Sequence, residues 1–139
     1  MPIIIQRTYF TREQIRAEPD ALFAWGDNLK RAGGASNPKS GQAYACRGEP
    51  NAVGIPTKHY PANDPGAFFR DSDFDIAKPP IDLAFIRLAE QLHRSATVYW
   101  PADGIGTGRA RLEQSSPRIW RYLEKCKARL FDLAPVIER

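Results

Sequence analysis

Two glycine-rich stretches hold the residues of this chain best suited to chemistry. The first is Gly26-Asp27-Asn28-Leu29-Lys30-Arg31-Ala32-Gly33-Gly34-Ala35-Ser36-Asn37, directly after a compact apolar run. Asp27 offers a carboxylate to an amino or hydroxyl group, while Asn28 and Asn37 each donate and accept, as a sugar edge requires. Gly33 and Gly34 permit positive φ and close approach of a ligand to the backbone. A turn closed by a local Asx-type bond accounts for the same residues without a ligand. The second stretch is Pro101-Ala102-Asp103-Gly104-Ile105-Gly106-Thr107-Gly108-Arg109. Gly104, Gly106 and Gly108 alternate with Ile105 and Thr107 and would bare successive N–H groups, an anion cradle suited to a diphosphate. Neither the dinucleotide G-x-G-x-x-G nor a P-loop is present.

A third stretch, Arg47-Gly48-Glu49-Pro50-Asn51-Ala52-Val53-Gly54-Ile55-Pro56-Thr57-Lys58, mixes charge, Asn and Pro. Glu49 and Arg47 pair with each other on one reading, and such surface pairs contribute little. Lys58 is either a free surface amine or, when desolvated, a nucleophile or phosphate contact. No metal site is expected. Cys46 and Cys126 lie 80 residues apart, only His59 and His93 could add imidazole, and the paired spacings of a zinc site are missing. Two buried free thiols are the expectation.

The elements that must position these loops follow from periodicity. Ile3-Ile4-Ile5, Leu22 to Trp25, Val53 to Ile55 and Thr97 to Trp100 read as strands. Thr11 to Ala17 reads as a short helix, Thr11 its N-cap and Gln14 the partner of a capping box. From Pro80 a helix is expected whose Ile81, Phe85, Leu88 and Leu92 recur at spacings of 4, 3 and 4, with Leu83, Ala84 and Ile86 widening the buried face. Ser116 and Pro117 start a last helix with the stripe Ile119, Leu123, Cys126, Leu130. Residues 60–80 read as a long structured loop. Helix, strand, glycine loop and helix in succession make an α/β sheet, whose ligands bind beyond the carboxyl ends of the strands.

The order Gly26-Asp27-Asn28-Leu29, then Gly54-Ile55-Pro56-Thr57-Lys58, then Ile105-Gly106-Thr107-Gly108 resembles the macrodomain-like superfamily, in particular small proteins of that type encoded by bacteriophages and bacteria. The resemblance spans roughly residues 20–125 and rests on the order and spacing of short motifs. It implies one domain over residues 1–139, a three-layer α/β/α fold with a mixed central sheet, and a cleft at the strand ends that binds ADP-ribose or a related nucleotide-derived ligand. It also implies that Asp27 holds the adenine amino group, that Gly104 to Arg109 wrap the diphosphate, and that Asn28, Asn37, Gly33 and Gly34 face the distal ribose. Some members hydrolyse ADP-ribosyl glycosidic bonds, and one branch uses a lysine and a later aspartate. Lys58 stands at the lysine position. Ala110 stands at the aspartate position, with Asp103 or Glu49 as substitute carboxylates. No cofactor is implied.

Composition bounds these readings. The chain has 139 residues, 20 Lys and Arg against 16 Asp and Glu, a net charge of +4 and a pI near 9.3. That length suits one domain. No apolar run approaches the ~20 residues of a membrane span, and the first ten residues lack a secretion signal, so a soluble cytoplasmic protein is expected. The basic residues Arg118, Arg121, Lys125, Lys127 and Arg129 fall at helical spacing. They form either a solvated face or a surface for a polyanion, which keeps a nucleic-acid-binding accessory protein in view. A protein-interaction module with a vestigial cleft is the other alternative.

Overall fold

The computed structural model describes residues 2–139. Five strands form one sheet: β1 (Ile3–Gln6), β2 (Leu22–Asn28), β3 (Ala52–Lys58), β4 (Val98–Pro101) and β5 (Val136–Glu138), in the order β3-β2-β4-β1-β5. Five helices join them: α1 (Arg12–Ala17), α2 (Gln42–Cys46), α3 (Phe74–His93), α4 (Leu112–Ser115) and α5 (Pro117–Phe131).

Every pairing within the sheet is parallel, so the mixed sheet expected from the resemblance is not found. The physical reason is the connections: each strand returns through a helix-bearing crossover, and a crossover, unlike a hairpin, brings the chain back in the same direction. Strand alternation then splits the core in two. Ile3, Leu22, Ala24, Val98 and Trp100 meet α3 and α5 on one face. Ile4, Phe23, Trp25 and Tyr99 meet α1 and α2 on the other. There the Phe23 and Tyr99 rings stack at 4.5 Å, with Phe10 edge-on to Phe23 at 5.1 Å.

The route of the chain sets the position of any site. From β1 to β2 to β3 it steps in one direction across the sheet; from β3 to β4 to β5 it steps back. Crossovers of constant hand place helices on opposite faces when the direction reverses. Neighbouring strands β2 and β4 therefore send their following segments to opposite sides, which opens a crevice beyond their carboxyl ends.

Local rules account for most boundaries. Thr11 caps α1, its hydroxyl accepting from the Gln14 N–H at 3.0 Å. Helix α3 begins at Phe74, six residues before the Pro80 start read from the sequence, and holds Pro79 and Pro80 inside it. Those prolines release carbonyls of the preceding turn at the exposed residues Asp75 and Ile76, where water can satisfy them. Ile81, Phe85, Leu88 and Leu92 are buried as expected, and so is Ala84, but Leu83 and Ile86 are 68% and 52% exposed. The apolar face of α3 is thus narrower than its composition implies.

Ser116 begins α5 and is fully buried. Its hydroxyl accepts from the Ile119 N–H at 3.2 Å and donates to Asp71 at 2.8 Å. Ser116→Ala is expected to cost about 1 kcal/mol in urea unfolding, the usual weight of a serine cap. The Ser116 hydroxyl first, then the Arg118 N–H, hold the Asp71 carboxyl below its ordinary range. That contribution is present above the ordinary carboxylate pKa and disappears as pH falls through the lowered value. The alanine variant should therefore lose less stability on acidification than the parent.

Candidate functional site

A cleft of about 680 Å³ occupies the crevice between β2 and β4. Its walls come from segments far apart in the chain: Tyr9 after β1, Gly33, Gly34 and Asn37 to Lys39 after β2, Gln42 of α2, Thr57 and Lys58 at the end of β3, and Gly104 to Gly106 with Gly108 to Ala110 after β4. The two glycine stretches therefore face one space. Arg109 ties them together, its guanidinium donating to the Lys39 carbonyl at 2.9 Å.

The floor is organised around Asp27. Strand β2 continues through Gly26-Asp27-Asn28, so Asp27 lies two residues beyond Trp25 and on the same face of the sheet. Its side chain is 3% exposed. The Arg47 guanidinium grips it with both terminal nitrogens, at 2.7 and 2.9 Å, Arg31 donates at 3.2 Å, and the Asn28 N–H donates at 2.7 Å. Both oxygens are thereby engaged. Asp27 consequently does not present a free carboxylate to an adenine amino group, the role the resemblance implied; it holds two guanidiniums at the cleft. Arg47 carries the order outward, lying 4.8 Å from the centre of the Trp25 ring and donating to the carbonyls of Gly33 at 3.1 Å and Ala32 at 2.9 Å. Gly54 makes room for this arrangement. A Cβ there would lie 2.6 Å from an Asp27 oxygen and 2.8 Å from the Arg31 guanidinium, which donates to the Gly54 carbonyl at 2.8 Å.

Of the other residues singled out by sequence, Asn28, Gly33, Gly34, Asn37, Gly104, Ile105, Gly106, Gly108 and Arg109 line the cleft. Asn28 donates to the Ala32 carbonyl at 3.0 Å, and its buried side-chain oxygen has no partner among the described residues. Gly106 adopts φ 84°, and a Cβ there would meet Leu112 at 3.1 Å, so no larger residue fits this turn without strain. Lys58 also lines the cleft, with its ammonium donating to the Ala62 carbonyl and to Asn63 at 3.4 Å. Burial, reinforced by the charge of Arg109, holds the Lys58 amine below the ordinary lysine value.

Four further expectations are corrected. Glu49 is paired with Arg12 at 3.0 Å and Arg16 at 2.9 Å, against α1 and away from the cleft. Asp103 is exposed and outside the cleft lining. Thr107 is exposed too, its hydroxyl turned back onto the Asp103 carbonyl. Ala110 is at the cleft wall, so no carboxylate replaces the one its position lacks. The Arg47–Glu49 pair does not form, because each charge finds a better-placed partner on another element.

Sequence reasoning missed Tyr9, Lys39, Gln42 and Thr57 as lining residues, and Arg31 as a partner of Asp27. The last had a signal in the spacing of four between Asp27 and Arg31; Tyr9 had none, since nothing local marks the turn after β1 as reaching the cleft. The resulting wall is cationic. Lys39, Arg47, Lys58 and Arg109 face a single carboxylate, Asp27, which Arg47 already neutralises.

Residues 5–126 match the model of a Family of unknown function (DUF7831). The chain belongs to this family. No curated protein matches it, and no solved structure does. The matched span takes in every residue of the cleft wall, from Tyr9 to Ala110.

Arg47→Ala is expected to destabilise the protein by about 3 kcal/mol in urea unfolding, because the buried Asp27 carboxylate loses its bidentate partner. Combining Asp27→Asn with Arg47→Leu should recover most of that loss, since no uncompensated charge then remains inside. A double variant as unstable as Arg47→Ala would mean that the guanidinium acts through packing alone.

Proposed function

We propose that this protein binds a phosphate-bearing, nucleotide-derived ligand in the cleft, with ADP-ribose the leading candidate. One observation supports the reading above the others: two glycine-lined loops and three cations that have no carboxylate within ion-pair distance among the described residues, Lys39, Lys58 and Arg109, meet at the ends of parallel strands. Backbone N–H groups and cations together suit a diphosphate, which needs many donors and no nearby negative charge. The exposed Tyr9 at the rim offers a flat surface for a base. The unpartnered Asn28 oxygen can accept from a ribose hydroxyl. A macrodomain-like arrangement, with helices over both sheet faces, belongs to this proposal, as does a cytoplasmic setting, where the free thiols of Cys46 and Cys126 would persist.

The same geometry favours binding over turnover. Hydrolysis of a glycosidic bond by general acid–base chemistry requires a carboxylate free to exchange a proton near the anomeric carbon. Among the described residues the only carboxylate on the cleft wall is Asp27, and its oxygens are occupied. Lys58 keeps an amine there, suited to holding phosphate.

Calorimetric titration with ADP-ribose, pyrophosphate and AMP tests the reading. ADP-ribose is expected to bind, and Lys58→Gln and Arg109→Gln should each weaken it about tenfold, equivalent to about 1.4 kcal/mol. Because the amine titrates below the ordinary lysine value, affinity should fall as pH rises through that lowered range, and the Lys58→Gln variant should lose this dependence. An ADP-ribosylated peptide should remain intact on incubation. Unchanged thermal unfolding with millimolar ADP-ribose and pyrophosphate would remove the proposal.

A further inference from the structure

Beside the cleft lies a second depression of about 240 Å³, walled by Phe68, Arg70, Arg111, Gln114 and Ser115. Phe68 joins the two. The Lys58 ammonium, which belongs to the cleft, lies 5.0 Å from the centre of its ring, and the Arg111 guanidinium lies 5.1 Å from the same point. One ligand of modest length can therefore reach both cations. Among the described residues neither Arg70 nor Arg111 has a carboxylate within ion-pair distance. The Arg70 guanidinium has only a long 3.5 Å contact among the described residues, to the Pro65 carbonyl, while its backbone N–H donates to Asp73 at 2.8 Å. The buried Ser115 hydroxyl has no hydrogen-bond partner among the described residues. Arg111 is held at φ 43°, ψ 45°, a left-handed conformation unusual for a residue with a Cβ. The positive charge of Arg111 is felt at Lys58, so the two spaces share one field.

We propose that this depression is a phosphate subsite, and that the ligand carries a phosphoryl group beyond those held in the cleft. Two guanidiniums supply forked donors and Ser115 a hydroxyl, the donor set that phosphate oxygens take. The aromatic ring between the subsites offers an apolar surface for a sugar or base lying between two phosphates. Such a group comes either from an additional phosphate on a nucleotide sugar or from the next phosphodiester of a nucleic-acid strand. The occupant of the cleft is taken from the function proposed above; the subsite itself rests on Arg70, Arg111 and Ser115.

The test compares ADP-ribose, ADP-ribose 2′-phosphate and a 5′-phosphorylated single-stranded pentathymidylate, titrated into the parent, Arg70→Gln and Arg111→Gln. Thermal unfolding of each variant first establishes that it is folded, and Arg70, outside any helix or strand, serves should Arg111→Gln not fold. The expected result is a loss of about tenfold for the sugar phosphate or the oligonucleotide, a shallower salt dependence for that ligand, and ADP-ribose affinity kept within twofold. Loss for the sugar phosphate alone assigns the subsite to a small ligand, and loss for the oligonucleotide alone assigns it to a strand. Equal loss for all three ligands, or no loss for any, overturns the subsite. If ADP-ribose fails to bind the parent while the oligonucleotide binds through Arg70 and Arg111, the subsite stands and the function proposed for the cleft falls.

Discussion

A buried carboxylate is costly unless its charge is met, and the position of Asp27 makes the whole cleft depend on meeting it. The effective cost of desolvating such a group still runs to several kcal/mol after relaxation. Arg47 answers it with a two-pronged contact, at 2.7 and 2.9 Å, which few other side chains can provide. A lysine would supply a single point charge and leave the second oxygen to Arg31 alone. The consequences spread by geometry. Arg47 also closes α2, its backbone N–H bonding back to the Ala43 carbonyl at 3.0 Å, so the guanidinium projects from a fixed point. Its remaining donors hold the Ala32 and Gly33 carbonyls, and with them one wall of the cleft. One ion pair thus joins β2, α2 and a long loop that carries little apolar surface of its own.

Arg31 connects this pair to a different problem. Strand β3 is an edge of the sheet, and an edge with free N–H and C=O groups invites pairing with other chains. Here Arg31 occupies the Gly54 carbonyl while it contacts Asp27. Two residues on, Pro56 has no N–H to offer. The lack of a side chain at Gly54 serves both ends, since the guanidinium can reach Asp27 only across that bare backbone. Protection of the edge and construction of the cleft floor therefore share residues, and a change at Gly54 would disturb both.

The parts of this structure legible in sequence are those set by short-range rules. Apolar runs gave four of the strands, spacings of 4, 3 and 4 gave the buried stripe of α3 and that of α5 except for Cys126, a thiol expected to be buried but only half-buried, and the caps at Thr11 and Ser116 follow from local hydrogen bonding. The glycine loops also stood out, because they follow directly on strands. What pairs with what was not legible. Arg47 and Glu49 are two residues apart, yet one bonds to β2 and the other to α1, since their side chains leave the chain in different directions after α2 ends. Asp27 looked like a free ligand group because nothing local reveals that Arg47, twenty residues later, folds back onto it. Tyr9 and Lys39 reach the cleft only through the order of the strands, which is a property of the whole sheet. The short β5 was missed for a similar reason: its three residues are exposed, and only their pairing with β1 defines them as a strand.

Among the described residues Lys58, Arg109 and Arg111 have no carboxylate within ion-pair distance. A fold optimised for stability alone gains by spacing like charges apart, yet Lys58, Arg109 and Arg111 are near enough that both arginines disfavour the charged form of the lysine. Glu49 shows that this chain can match a carboxylate to two arginines where structure requires it. Among the described residues Asp27 is the only carboxylate lining the cleft, and Arg47 and Arg31 engage it; Asp64, outside the lining, offsets part of the repulsion at Lys58. The repulsion that results is small in water and larger at a partly desolvated amine. An incoming anion would relieve it, and would find the donors already oriented by backbone and ring contacts. What distinguishes the cleft is that its cations stand beside two glycine loops, with Lys58 and Arg109 held by backbone carbonyls and only Asp64 offsetting part of the repulsion at Lys58. This arrangement also makes the expected affinity depend on salt and pH in a way that an apolar pocket of the same volume would not.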